Sequence, residues 1–284
     1  MNPWSQEVHA SVASPGATPA RGAFQRFLQA GAQAWGKRER EVLEIVLLPV
    51  LIAFGGAAIA LFGKPAYKLV TREDGIAEWC QVLFYTLALG GCLRITWRLR
   101  RSGRLFFLYA TVCLGLFFLL GEELSWGQRL IGWGTPEALI ERNKQGETNI
   151  HNISTVGTVF KWMQMLVGAY GALLPLWFRD TAQMDRSRRL EPWIIPHVTL
   201  VPYFALLFVW RFYRNLFEVP GRYYYVVAEY NEILELVLAI GFYLFMRFQW
   251  LAMRRDIAAG RAAVPTSTIA ARRPAPEARP GGRS

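Results

Sequence analysis

Two adjacent carboxylates, Glu122 and Glu123, follow directly on the apolar run LFFLYATVCLGLFFLL, and a second polar group downstream carries Gln145, Glu147, Asn149, His151 and Asn152. Ionisable groups at the edge of an apolar run are costly unless they face protein, water or a cation, so their presence points to chemistry. Glu123 reads as a general base or a ligand, with Glu122 as its neighbour, His151 as proton donor or ligand, and Arg129 as a clamp for an anionic group. Gln128, Gln145, Glu147, Asn149, Asn152 and Glu78 are the candidate substrate contacts. Glu123 and His151 with Glu229 and Glu232 would form an oxygen-rich site with one imidazole, which suits a divalent metal such as Mn, Fe or Zn. A metal-free pair, one glutamate as base and His151 as acid, fits the same residues, and a histidine beside asparagines equally reads as a structural hydrogen-bonder. No HExxH, GxSxG or P-loop spacing occurs, and nothing supports a nucleotide site.

Two further acidic groups sit at the start of apolar runs. Asp74 and Glu78 are four apart and share one helical face. Glu78, inside the first turns of that run, needs a partner or a path to water. In AEYNEILE, Glu229, Glu232 and Glu235 recur every three residues and fall within about 120° of one helical face. Such a stripe calls for a cation, a basic residue or protons; Arg129, Lys161, Arg211 and Arg214 are the candidate basic partners. Ordinary ion pairs that hold the bundle's end together are the bland alternative.

The elements that must position these groups are transmembrane helices. Apolar residues make up 53% of the 284, and their long uncharged runs exceed what a soluble core of this length uses. The pattern predicts an all-α, polytopic bundle with six spans, at about 42–62, 76–97, 105–124, 156–178, 193–212 and 224–250. Residues 1–40 read as a mobile leader that becomes helical near Phe24, without a signal-peptide pattern, and the Pro, Ala and Arg-rich tail from about 257 reads as disordered. Pro196 and Pro202 should kink span five or unwind its first turns.

The net charge of +11 would suggest nucleic acid in a soluble protein, but here the arginines gather in short loops and at the ends, so nucleic-acid binding is not expected. Arg94, Arg98, Arg100, Arg101 and Arg104 form one loop free of acidic residues, and Arg179, Arg186, Arg188 and Arg189 a second. The positive-inside rule places both in the cytoplasm with the two termini, which puts every acidic cluster on the opposite face. Cys80, Cys92 and Cys113 lack paired spacing and read as buried thiols.

Between spans three and four, Thr135, Pro136 and Glu137 form a helix start for about two turns. Trp126, Leu130, Ile131 and Trp133 are apolar enough to lie in the membrane interface, so this loop is expected to fold back as a lid or re-entrant element.

EDGIAEW, GEELSWGQRLIGW with TPE, and ERNKQGETNIHN together resemble a group of bacterial polytopic inner-membrane proteins marked by these strings. That resemblance covers roughly residues 72–152 and the acidic last span; it implies a multi-pass membrane fold and brings no reaction with it. A looser likeness is to the CAAX-type prenyl-protein proteases, whose first motif is a glutamate pair, three spacers and an arginine. Here Gly127 stands where that arginine would, and the arginine comes at Arg129. The second motif of that family, phenylalanine with histidine four on, is approximated by Trp193 and His197, on the opposite side of the membrane.

The convergence of carboxylates, amides, one histidine and arginine under an aromatic lid suggests a membrane-embedded hydrolase or transferase of the bacterial inner membrane, acting on a lipid or lipid-linked substrate from the periplasm. A small ion-coupled transporter using Glu78 and the span-six glutamates is a second expectation, and a non-catalytic assembly or binding protein a third.

Overall fold

The computed structural model describes residues 22–72, 74–140, 148–150, 153–178, 183–219, 221 and 224–261. Eight helices of two turns or more are present among them: α1 (Ala23–Trp35), α2 (Glu39–Ile59), α3 (Lys64–Thr71), α4 (Ile76–Leu99), α5 (Arg104–Glu123), α6 (Ser154–Trp177), α7 (Val201–Leu216) and α8 (Tyr224–Ala258). No β-strand occurs in the described residues. Six segments are long and apolar enough to cross a membrane: Glu39–Phe62, Lys64–Leu99, Arg104–Glu123, Thr155–Trp177, Glu191–Leu216 and Tyr224–Ala258. Six candidate spans are therefore present, as the sequence pattern predicts, although the second begins at Lys64 where 76 was expected and the sixth runs to Ala258 where 250 was expected.

The long α8 is the axis of the bundle. At 35 residues it extends about 50 Å, well beyond a hydrocarbon core of about 30 Å. It packs along α4 and α7, with α2 and α1 against its flanks; α5 lies outside α4, and α6 outside α7. Tyr85, Leu99, Leu116, Tyr203, Leu207, Val237 and Met246 fill the space between these helices. Leu51, Phe54, Phe107, Leu114 and Leu166 point outward, as apolar side chains do when lipid surrounds a bundle. On α6, Gly168 and Gly171 let α7 come close: a Cβ at Gly171 would lie 2.2 Å from the Phe204 ring, and one at Gly168 would lie 2.9 Å from the backbone of Phe208. Small residues at a helix crossing are the usual route to tight packing in a bilayer.

Local sequence explains the breaks. Pro196 lacks an amide to donate, so span five opens with one helical turn, Glu191–Ile194, followed by a 3-10 turn over Val198–Leu200; regular helix begins at Val201, with Pro202 harmless in its first turn. The unwinding expected there is present. The segment after Phe62, expected as a loop, forms α3 instead, started by Pro65 in its first turn. The leader is helical from Ala23, and α1 docks through buried Leu28 and Trp35, whose Nε1 donates to Thr199 Oγ1 at 2.9 Å. Residues 1–21, with His9, and residues 262–284 lie outside the described residues.

Contacts also settle which groups share an end. Arg255 near the end of α8 donates to Gln33 O at 3.0 Å, Arg186 pairs with Asp256, and Arg94 lies over the Trp250 ring. The arginine-rich segments, α1 and the end of α8 thus gather at one end of the bundle. The start of α4, the end of α5, the end of α7 and the start of α8 gather at the other.

Candidate functional site

Regular helix stops at Glu123, and the next residues turn sharply. Ser125, Trp126 and Gly127 have φ of 47°, 55° and 92°, a left-handed run that two of the three residues enter at a cost of about 1–3 kcal/mol each. The compensation is visible at Trp126. Its ring edges onto Phe117 and Phe118 at 6.1 and 5.8 Å and lies across Gly121, where a Cβ would come within 3.1 Å of it. Its Nε1 donates to Glu122 Oε1 at 2.6 Å, while Glu122 Oε2 accepts from the Ile150 amide at 2.9 Å. Glu122, 1% exposed, therefore fastens both ends of the loop to α5.

Arg129 fastens the middle. Its Nη1 lies 2.6 Å from Glu78 Oε1 and donates to Glu123 O at 3.1 Å, and its Nε lies 3.4 Å from Asp74 Oδ1. Glu78 Oε2 accepts from the Asp74 amide at 2.5 Å, with Asp74 itself at φ 59°. Asp74 and Glu78, expected on one helical face, instead form the turn that begins α4 and receive the arginine together. Gln128 continues the loop's internal bonding: its Nε2 donates to Thr135 Oγ1, and its Oε1 accepts from the Thr148 amide and hydroxyl, all at 2.8 Å. Asn149 Nδ2 reaches Ser125 Oγ at 3.4 Å.

The acidic stripe of α8 fans out instead of converging. A step of three residues turns the helix by 300°, so each glutamate is displaced by about 60° from the last. Glu229 turns to α3, accepting from Thr71 Oγ1 at 3.0 Å with Lys68 at 3.8 Å. Glu232 turns to α4, where Gln81 Nε2 reaches both its backbone and its carboxylate. Glu235 turns to α6 and α7, held by Gln164 Nε2 at 2.8 Å, by Arg211 Nη2 at 3.0 Å and by Asn231. Of the expected basic partners, Arg211 joins the stripe, Arg129 joins Glu78, and Arg214 lies near the Tyr224 ring.

Glu123 differs from its neighbour. The residue is 9% exposed and lies within electrostatic reach of Glu235, Glu232, Glu78 and Arg129, yet no donor among the described residues hydrogen-bonds its carboxylate. Tyr85, buried on α4, lies within electrostatic reach of Glu123, Glu235 and Glu232. The surrounding amides repeat the pattern. Gln81 Oε1, Gln164 Oε1 and Asn231 Oδ1 are buried without a hydrogen-bond partner among the described residues, because their amide nitrogens are committed to Glu232 and Glu235. Two buried donors there, Trp210 Nε1 and Arg211 Nε, also lack a hydrogen-bond partner among the described residues, so the interior at this end holds open acceptors and open donors together, which favours water or a group carrying both.

Of the residues expected at the site, Glu78, Glu122, Glu123, Gln128, Arg129, Asn149, Glu229 and Glu232 all lie at this end of the bundle. Gln145, Glu147, His151 and Asn152 fall outside the described residues. Among the described residues no three His, Cys, Asp or Glu side chains are arranged to hold a metal ion, and Glu229 is engaged with Thr71 and Lys68, away from Glu123. His197 lies at the arginine-rich end, stacked on Phe248. Sequence reasoning passed over Lys68, Tyr85, Gln81, Gln164 and Asn231. A signal existed for two of them: Gln81 follows Glu78 by three, and Gln164 interrupts an apolar run in span four.

Fold and site define a multi-pass α-helical membrane protein with a buried acid, amide and arginine network at one end. No protein-family model, curated protein or solved structure matches this chain.

Proposed function

We propose that this chain is a membrane-embedded enzyme, a hydrolase or transferase that uses Glu123 as general base on a lipid or lipid-linked substrate. The observation that carries the reading is the division of labour between two adjacent glutamates. Glu122, 1% exposed, has both oxygens occupied by loop donors, whereas Glu123, 9% exposed, accepts at its carboxylate from no donor among the described residues. A water or substrate hydroxyl bound there would supply the missing donor and give up its proton to Glu123. Arg129 holds the loop on Glu78, and an anionic substrate group would compete for the same guanidinium. His151, with or without a divalent metal, is proposed as the partner acid or ligand. Exposed Leu130, Ile131 and Trp133 support an interfacial loop over the site. The arginine-rich end supports a bacterial inner-membrane protein with that end cytoplasmic and the site periplasmic.

The test uses wild type, Glu122→Gln and Glu123→Gln in nanodiscs, incubated with bacterial inner-membrane lipid extract and followed by mass spectrometry. Wild type is expected to convert one lipid species, and Glu123→Gln to slow it by about 10²–10⁴-fold. Conversion at the wild-type rate by Glu123→Gln would remove the assignment.

One observation favours a second reading, an ion-coupled carrier: Glu232 and Glu235 are bonded by residues of α4, α6, α7 and α8, so a proton or cation exchanged there would act on four helices at once. Proteoliposome flux abolished by Glu232→Gln, with no lipid converted by wild type, would select it.

A further inference from the structure

The far end of the bundle carries a second feature that the carboxylate site does not use. From about 8 to 16 residues beyond Glu78 on α4, or roughly 12 to 24 Å along its axis, the α4–α8 contact opens into an outward-facing groove. The groove, about 380 Å³, is walled by Leu87, Gly90, Gly91 and Met246 and ends at Arg94 and Arg247. Gly90 makes it deep, since a Cβ there would meet no atom within 4 Å. A second, wider cavity continues from it, sharing Arg94 and Trp250 and adding Trp97, Arg98 and Arg100.

The guanidiniums at the groove's mouth are oriented by aromatic groups. Arg94 lies over the Trp250 ring at 5.3 Å, Arg100 over Trp97 at 4.8 Å, and Arg247 donates to Tyr243 OH at 3.0 Å. None of Arg94, Arg98 and Arg247 forms an ion pair with a carboxylate among the described residues. The acidic side chains of α2 that line a neighbouring cavity with Arg247 are engaged elsewhere: Glu41 pairs with Lys37, and Glu44 with Arg40. Tryptophans at this level mark the depth of lipid headgroups. The groove therefore presents apolar walls within the hydrocarbon and uncompensated, bidentate-capable positive charge at the interface.

We propose that this groove is a binding site for an anionic phospholipid, with one acyl chain lying over Gly90 and Gly91 and the phosphate held by Arg94 and Arg247. Arginine suits this role because its planar donor fork matches phosphate oxygens and stacks on indole at the same time. A free phosphate would use the arginines but leave the apolar groove empty, and a zwitterionic lipid would use the groove but satisfy the arginines poorly. The shape and the charge together select a lipid of net negative charge.

The experiment is native mass spectrometry of the full chain in detergent, titrated with phosphatidylglycerol or with phosphatidylcholine of the same acyl chains. Wild type is expected to retain phosphatidylglycerol preferentially. Arg94→Gln with Arg247→Gln should lose roughly 30-fold in apparent affinity for phosphatidylglycerol and discriminate little between the lipids. Gly90→Leu keeps every charge, fills the groove and replaces a helix-weakening residue on an open face, so it should fold normally and bind both lipids more weakly. Equal retention of the two lipids by wild type overturns the proposal. So does wild-type affinity for phosphatidylglycerol in Gly90→Leu, or displacement of that lipid by an equimolar amount of inorganic phosphate.

Discussion

Removing Arg129 should release the loop between α5 and α6 without loosening the bundle beneath it. Arg129 and Glu78 are 10% and 9% exposed at their side chains and stand 2.6 Å apart, so Arg129→Ala leaves a buried carboxylate without its counterion. Breaking such a pair by deleting one member costs about 3–5 kcal/mol. At about 1.36 kcal/mol per tenfold change, that corresponds to roughly 150- to 5,000-fold faster opening of whatever the pair holds closed. The reporters are amides fastened by the loop: Gly132 to Gln128 O, Thr148 to Gln128 Oε1, and Ile150 to Glu122 Oε2. Hydrogen exchange in nanodiscs, read by mass spectrometry, follows them directly. Peptides from the middle of α4, around buried Ala88, serve as the unchanged control. Asp74→Asn should matter far less, because that partner's side chain is 58% exposed and 3.4 Å away, and an exposed pair contributes about 0–1 kcal/mol. Arg129→Ala combined with Glu78→Ala should open the loop no faster than the worse single variant, since the two act through one interaction. If Arg129→Ala left the Thr148 and Ile150 amides within about threefold of wild type, the reading of Arg129 as the loop's fastening would be refuted.

The two adjacent glutamates should part company in a melting experiment. Glu122→Gln sets an amide NH₂ against either the Trp126 indole or the Ile150 amide, both of them donors, and should cost about 1–3 kcal/mol in stability. Glu123→Gln removes a buried charge that no donor in the described residues solvates, and should leave the melting temperature unchanged or raised; a large fall there would contradict the assignment of an unoccupied carboxylate. Orientation is open to cysteine labelling in a background lacking Cys80, Cys92 and Cys113. Ser102→Cys, in the arginine-rich turn, should resist a membrane-impermeant maleimide in spheroplasts, and Trp133→Cys should react; the reverse pattern would invert the topology.

Much of this architecture follows from the sequence because the bilayer imposes it. A spanning backbone must satisfy its own hydrogen bonds, so an apolar run of about 20 residues becomes a helix, and the six spans can be counted before any packing is known. The break at Pro196 is equally local, since proline acts on its own backbone, whereas the helix over Lys64–Thr71 stands where a loop was expected. The membership of the polar end was legible too: Glu78, Glu122, Glu123 and the glutamates of span six each interrupt or border an apolar run, and all lie at the end to which alternating spans assign them.

Partners were not legible, because pairing depends on the rotation of each helix about its axis and on which helices neighbour one another. The period of AEYNEILE places three glutamates on one broad face but does not say that α3, α4 and the α6–α7 pair stand around it, taking one glutamate each. The difference between Glu122 and Glu123 is likewise tertiary. Adjacent residues on a helix point about 100° apart, and only the left-handed turn at Ser125 and Trp126 brings an indole and a distant amide onto one carboxylate while leaving the other facing the bundle. Residue types and the end of the bundle at which they lie follow from the order of residues along the chain; packing decided which carboxylate is bonded and which accepts from no donor among the described residues.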